Sequence, residues 1–238
     1  MLSTVETQLR TPRSCAGHAA DGSRQQLQEY VNQIPNCLNE AIERQLPHAI
    51  YPSARRVQWL SPLESEGFKR YRDGSFLEQI GVPEAALALA DYWPRTGPSW
   101  DGLAVFPQGR GSLPGVLLVE SRTQLDEIEG PGWRSPINSR SLIRNAFQET
   151  RQWLGAMDTE AWTGSLFQTA TQLAHLNFLR NRLSIPAWLV HLYFVNDPTG
   201  AASRADWLPV IAGIHARLGL CRRPPFTLDV FLPALHAR

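Results

Sequence analysis

The chain has 238 residues, long enough to bury a substantial core, and its 43% hydrophobic content is ordinary for a globular protein. Its 23 basic and 22 acidic residues leave a formal charge of +1, which excludes the broad basic excess of a protein that coats nucleic acid by charge alone. Lys69 is the only lysine; every other basic residue is arginine. No apolar run approaches the ~20 residues of a membrane span, and no secretory layout opens the chain, so a cytoplasmic protein with no membrane partner is expected. Cys15, Cys37 and Cys221 are scattered and odd in number, which supports neither a disulfide framework nor a zinc site. They read as buried or incidental thiols.

In chain order, residues 1–22 are small, polar and aperiodic and read as a flexible tail. From there to residue 238 no linker or internal repeat divides the chain, so one domain is expected over 23–238. Helical spacing of Leu27, Tyr30, Ile34, Leu38 and Ile42 predicts helix over 23–46, with Ser23 as N-cap and a break at Pro35. A short extended piece at 56–60 precedes a helical stretch over 64–80, broken near Asp73-Gly74. Residues 83–92 favour helix after Pro83, with a short strand as the alternative. Leu103–Phe106 and Val116–Val119 are apolar and β-prone and read as a hairpin around a glycine-rich loop. Further helices are expected near 123–128, over 139–154 ending at Gly155, over 163–182, and from the Ser203/Asp206 capping box to about 218. The apolar run 185–195 reads as a buried strand, and 226–232 as the last one.

Asp101 precedes the first hairpin strand and Glu120 ends the second. The start of one antiparallel strand lies beside the end of its partner, so the two carboxylates are expected to meet. Glu120 and Arg122 share a face with Val116 and Leu118. Converging carboxylates at a strand end suit a hard divalent cation, and a neighbouring cation suits phosphate. Taken singly, Asp101 also fits a turn residue and Glu120 an ordinary strand-end charge paired with Arg122.

The stretch Trp100-Asp101-Gly102-Leu103-Ala104-Val105, followed by Gly115-Val116-Leu117-Leu118-Val119-Glu120-Ser121-Arg122, resembles the core signature of the PD-(D/E)XK nuclease superfamily. With Trp93-Pro94 it is similar to an uncharacterised bacterial branch. The resemblance covers about 92–122 and continues more weakly along the chain. It implies an α/β restriction-endonuclease-like core, a central mixed sheet flanked by helices. It also implies a magnesium- or manganese-dependent nuclease, with DNA the favoured substrate. Asp101 and Glu120 would hold the metal, Glu78 (or Glu66) would supply the upstream acid, and Gln168 would border the site. Gln168, Gln172 and His175 share one helical stripe, which reads equally as a solvated face.

One position departs from the pattern: Arg122 stands where the superfamily has lysine. Arginine stays charged and offers a planar fork for phosphate, but cannot act as a general base. Two readings stay open. Arginine substitutes for lysine in a chain that avoids lysine, and the nuclease survives; or catalysis is lost and the fold serves as a binding or interaction protein.

Overall fold

The computed structural model describes residues 17–19, 21–47, 57–95, 97–107, 113–133, 139–196 and 202–235. Most of the expected tail, Cys15 and the glycine-rich hairpin loop at 108–112 lie outside them. Among the described residues no helix is long and apolar enough to cross a membrane.

The fold is an α/β arrangement around one five-stranded mixed sheet, β1 Gln58–Ser61, β2 Gly102–Phe106, β3 Gly115–Arg122, β4 Ala187–Val195 and β5 Thr227–Pro233, in that spatial order. β1–β2 and β2–β3 are antiparallel; β3–β4 and β4–β5 are parallel. β4 is the expected buried strand, and its near-continuous apolar run follows from parallel pairing on both edges and helices on both faces.

Alternation along the strands feeds two cores. Leu117 and Val119 of β3, with Trp188, Val190, Leu192 and Phe194 of β4, pack under α1 Gly22–Gln33 and α2 Pro35–Glu43. Val116 and Leu118, with Leu189 and Tyr193, face the larger layer. That layer contains α3 Gly74–Gln79, α4 Ala86–Tyr92, α5 Arg140–Leu154, α6 Phe167–Asn177 and α7 Arg204–Arg217. Tyr92 ties three of these helices together: its hydroxyl donates to the Ala174 carbonyl at 3.0 Å and lies 3.3 Å from Thr150 Oγ1.

Several local expectations hold for the stated reasons. Pro35 splits the first helical stretch and becomes the first residue of α2, where its missing N–H costs nothing. Gly155 ends α5 in the left-handed conformation (φ 64°), and Ser203 and Asp206 form a reciprocal capping box on α7. Others need correction. Asp21, not Ser23, stands at the α1 N-cap, and no side chain caps it. The stretch 64–80 is helical only as a 3₁₀ turn at Glu64–Glu66 and as α3. Residues 83–92 are a 3₁₀ turn running into α4, which resolves the helix-or-strand alternative. Of the two readings of the cysteines, Cys37 and Cys221, exposed free thiols, fit the incidental one and not the buried one.

The β2–β3 pair depends on one glycine. Gly115 lies opposite Phe106, whose ring covers it so closely that an added Cβ would sit 2.3 Å from Phe106 Cζ. The ring is fully buried and cannot swing into solvent. Gly115→Ala is therefore expected to destabilise the protein by about 1–3 kcal/mol, the usual cost of overpacking. A thermal melt that leaves the midpoint unchanged would contradict this account.

Candidate functional site

The sheet brings Asp101 and Glu120 together as the strand order requires. Gly102 pairs with Val119, so the next residues outward, Asp101 and Glu120, face one another at the end of the β2–β3 ladder. Both are nearly inaccessible, at 7% and 2% exposure.

Their surroundings differ. Both oxygens of Asp101 are engaged. Oδ1 lies 2.8 Å from Arg70 Nη2 and 3.8 Å from Arg24 Nε. Oδ2 accepts from the Ser121 backbone N–H at 3.0 Å and from its hydroxyl at 3.1 Å. Arg70 is itself fixed, donating to the carbonyls of Ser99 and Trp100. Glu120 has a weaker counter-ion, Arg122 Nη1 at 3.7 Å, and that guanidinium also donates to the Ser121 carbonyl. Burial pushes the Glu120 carboxyl up to about 8, and the Asp101 charge pushes the same way; Arg122, Arg70 and Arg24 offset only part of this. At neutral pH Glu120 is predominantly protonated. Arg24, Arg70 and Arg122 thus surround the carboxylate pair.

Arg122 also lines a cavity of about 30 Å³ beneath α6 and α7, bounded by Gln172, His191, Tyr193, His215 and Asp229. This is room for about one or two waters. Parallel pairing sets Glu120 beside His191 and His191 beside Asp229, so a polar row crosses β3, β4 and β5 on the α6 face. Asp229 accepts from Tyr193 Oη at 3.4 Å and lies 3.4 Å from His191 Nδ1 and 3.3 Å from Arg223. Burial raises its carboxyl, but the His191 hydrogen bond and the nearby cations outweigh burial and bring it below the usual range. Gln172 has both amide atoms buried without a protein partner, and a water in this cavity would satisfy them.

The other expected residues separate from this cluster. Glu78 is exposed on α3, Glu66 is exposed and bonded to the Tyr71 hydroxyl, and neither joins the two carboxylates. Among the described residues no three His, Cys, Asp or Glu side chains form a group able to hold a metal ion. Gln168 is exposed in the first turn of α6, whereas Thr169 and Gln172 reach the cavity. The stripe through Gln168, Gln172 and His175 is not a solvated face, because every residue from Ala170 to Leu179 is buried. His175 lies among Trp93, Trp100 and Phe76, and burial lowers its pKa to about 4, so it is a neutral core residue.

Arg70, Arg24, Ser121 and the His191–Asp229 pair were not among the expected site residues. Arg70 carries no sequence signal, lying 31 positions before Asp101 in an irregular segment. Asp229 does carry one: it is a charge set between Leu228 and Val230 of an apolar strand. No protein-family model, curated protein or solved structure matches this chain.

The raised Glu120 carboxyl has a stability consequence. Its folded pKa lies above the ordinary value of 4.5, so the folded chain binds the extra proton between 4.5 and about 8. Stability contributed by this group is complete at acid pH and is lost as pH rises through that window, at up to about 1.4 kcal/mol per pH unit. Glu120→Gln removes the titration. The variant is expected to melt several degrees above the wild type at pH 9 and near it at pH 5; identical pH profiles for the two proteins would refute the assignment.

Proposed function

We propose that this chain is a nucleic-acid-binding protein on a PD-(D/E)XK-like core, in which arginine holds the carboxylate pair and contacts phosphate, and metal-dependent hydrolysis has been lost. The observation that carries this reading is the charge of the cluster: Arg24, Arg70 and Arg122 against Asp101 alone, with Glu120 protonated. A divalent cation does not fit this donor set at neutral pH. Asp101 has both oxygens committed, Glu120 holds a proton that a bound cation would have to displace, and the described residues supply no third acid. A phosphate does fit. Arg24 is 59% exposed and holds Asp101 only at 3.8 Å, so its guanidinium can turn outward to an anion.

The nuclease reading is favoured by a different observation, the pairing of Asp101 with Glu120 at one strand end. It requires Glu120 to ionise and Arg24 to leave Asp101. Under this reading the catalytic group is Asp101, Glu120 and Arg122, with magnesium or manganese and DNA the favoured substrate.

The two readings part on pH and metal. The proposed binding protein gives no magnesium-binding heat at pH 7. It binds a labelled oligonucleotide in the presence of a chelator, and Arg24→Gln combined with Arg122→Gln weakens that binding about ten-fold. Titration calorimetry and fluorescence anisotropy read both. The nuclease reading is selected instead if DNA cleavage by magnesium or manganese rises as pH passes 8, increases in Arg122→Lys and vanishes in Glu120→Gln.

A further inference from the structure

A second surface, separate from the carboxylate pair, lies on the outer side of α5. Arg140, Arg144 and Arg151 recur at spacings of four and seven residues, which puts them on one helical face, alongside the apolar stripe of Ile143, Phe147 and Leu154. They line a groove of about 750 Å³ whose walls include Trp133 and Trp162.

Trp133 is a prepared platform. Its backbone N–H donates to the Thr163 carbonyl at 2.9 Å, and Gly130 N–H donates to the Ser165 carbonyl at 2.9 Å, so residues 130–133 are bound at both ends to the segment before α6. Gly132 lies between them at φ 72°, where a Cβ would press on the Thr163 and Gly164 carbonyls at 3.2 Å. The indole lies parallel to Phe167, with centroids 6.4 Å apart, and the guanidinia of Arg140 and Arg144 lie 5.5 and 5.7 Å from its own centroid. Among the described residues neither arginine is ion-paired, unlike Arg151, which pairs with Asp158 at 3.3 Å. Two cations are thus held against one aromatic ring with no anion among the described residues to answer them.

We infer that this groove binds single-stranded nucleic acid, with a base stacked at Trp133 and backbone phosphate on Arg140 and Arg144. The inference rests on the nucleic-acid-binding reading above and adds the form of the substrate and a second place of contact. An aromatic platform beside unpaired guanidinia suits a strand whose bases are free to stack, because every base offers a π-face while its phosphates draw the arginines off the ring. A duplex keeps its bases stacked inside and offers the platform nothing. An acidic peptide would satisfy the cations and leave the indole without a planar partner. Asp158 and Glu160 line the groove beside Arg151 and Trp162. They repel phosphate there and accept hydrogen bonds from exocyclic amino groups, which favours cytosine over thymine.

The test measures fluorescence anisotropy of labelled twelve-nucleotide dC and dT strands and of a matched duplex, with the full chain and chelator present, across a salt series. The expected result is tighter binding of dC than of dT or duplex. Arg140→Gln combined with Arg144→Gln should weaken dC binding at least ten-fold and make the salt dependence shallower by about 1.4 log units per log unit, two single-strand phosphate contacts' worth. Trp133→Phe should weaken it with the salt slope unchanged. Inorganic phosphate that binds where no strand does, or duplex bound as tightly as single strand, overturns the inference. If the Arg140/Arg144 variant binds dC with wild-type affinity while the Arg24/Arg122 variant has lost binding, the groove falls and the function proposed above stands. Loss in the Arg140/Arg144 variant alone assigns binding to the groove and removes the carboxylate cluster from it. No binding of any strand by the wild type removes both.

Discussion

Asp101 joins parts of the chain that share no secondary structure. Its carboxylate ties α1 through Arg24, the irregular segment before α3 through Arg70, and β3 through the Ser121 backbone and hydroxyl. Arg70 then holds the carbonyls of Ser99 and Trp100, which fixes the approach to β2. A buried carboxylate with charge-assisted bonds on both oxygens is stable only while those partners remain. Removing one partner of such a pair costs about 3–5 kcal/mol, because the other charge is left buried. The end of the β2–β3 hairpin is set by this ion cluster as much as by its ladder.

The state of Glu120 follows from the same contacts. Asp101 takes the close guanidinium, so Glu120, equally buried and beside a fixed negative charge, is left with Arg122 at 3.7 Å. Two carboxylates at one strand end cannot both ionise cheaply in a dry environment, and the one with poorer solvation keeps its proton. With Glu120 neutral, three guanidinia stand around Asp101 at the end of β3. Reversing that polarity means ionising Glu120 in a site already committed to arginine. Arg122 sharpens the point, since a lysine there could give up its proton and arginine does not.

What the sequence disclosed, and what it hid, divides by the range of the interaction. The order Asp101, hairpin, apolar strand, Glu120 is local and carries its own geometry, so the meeting of the carboxylates was legible. So were the buried strand β4 and the split at Pro35, which depend on composition and on a missing N–H. Arg70 was not, because it reaches Asp101 from an irregular segment whose path is set only by the finished fold. The α6 stripe failed for a related reason. Helical spacing places Gln168, Gln172 and His175 on one side, but the sheet and neighbouring helices enclose α6 entirely beyond its first turn. One stripe therefore holds a solvated amide, a cavity-facing amide and a core imidazole. Periodicity gives direction around a helix and says nothing of depth along it.

The near-absence of lysine connects the two surfaces. A lysine on α5 would send a hydrated ammonium into solvent, whereas a guanidinium is weakly hydrated and lies flat on an indole. Among the described residues the cation–π contacts come from arginine throughout, among them Arg140 and Arg144 on Trp133, Arg151 on Trp162, Arg182 on Tyr92 and Arg204 on Phe231. The same property lets Arg70 and Arg122 sit largely buried beside the carboxylates at 15% and 11% exposure. The first turns of α6 stand between the two regions: Phe167 backs the Trp133 platform, and Thr169 and Gln172 line the cavity that Arg122 shares. A strand lying on the platform would press on the helix whose next turn borders the carboxylate cluster. The two surfaces are thus adjacent through one helix, although among the described residues no side chain lines both the groove and the cavity.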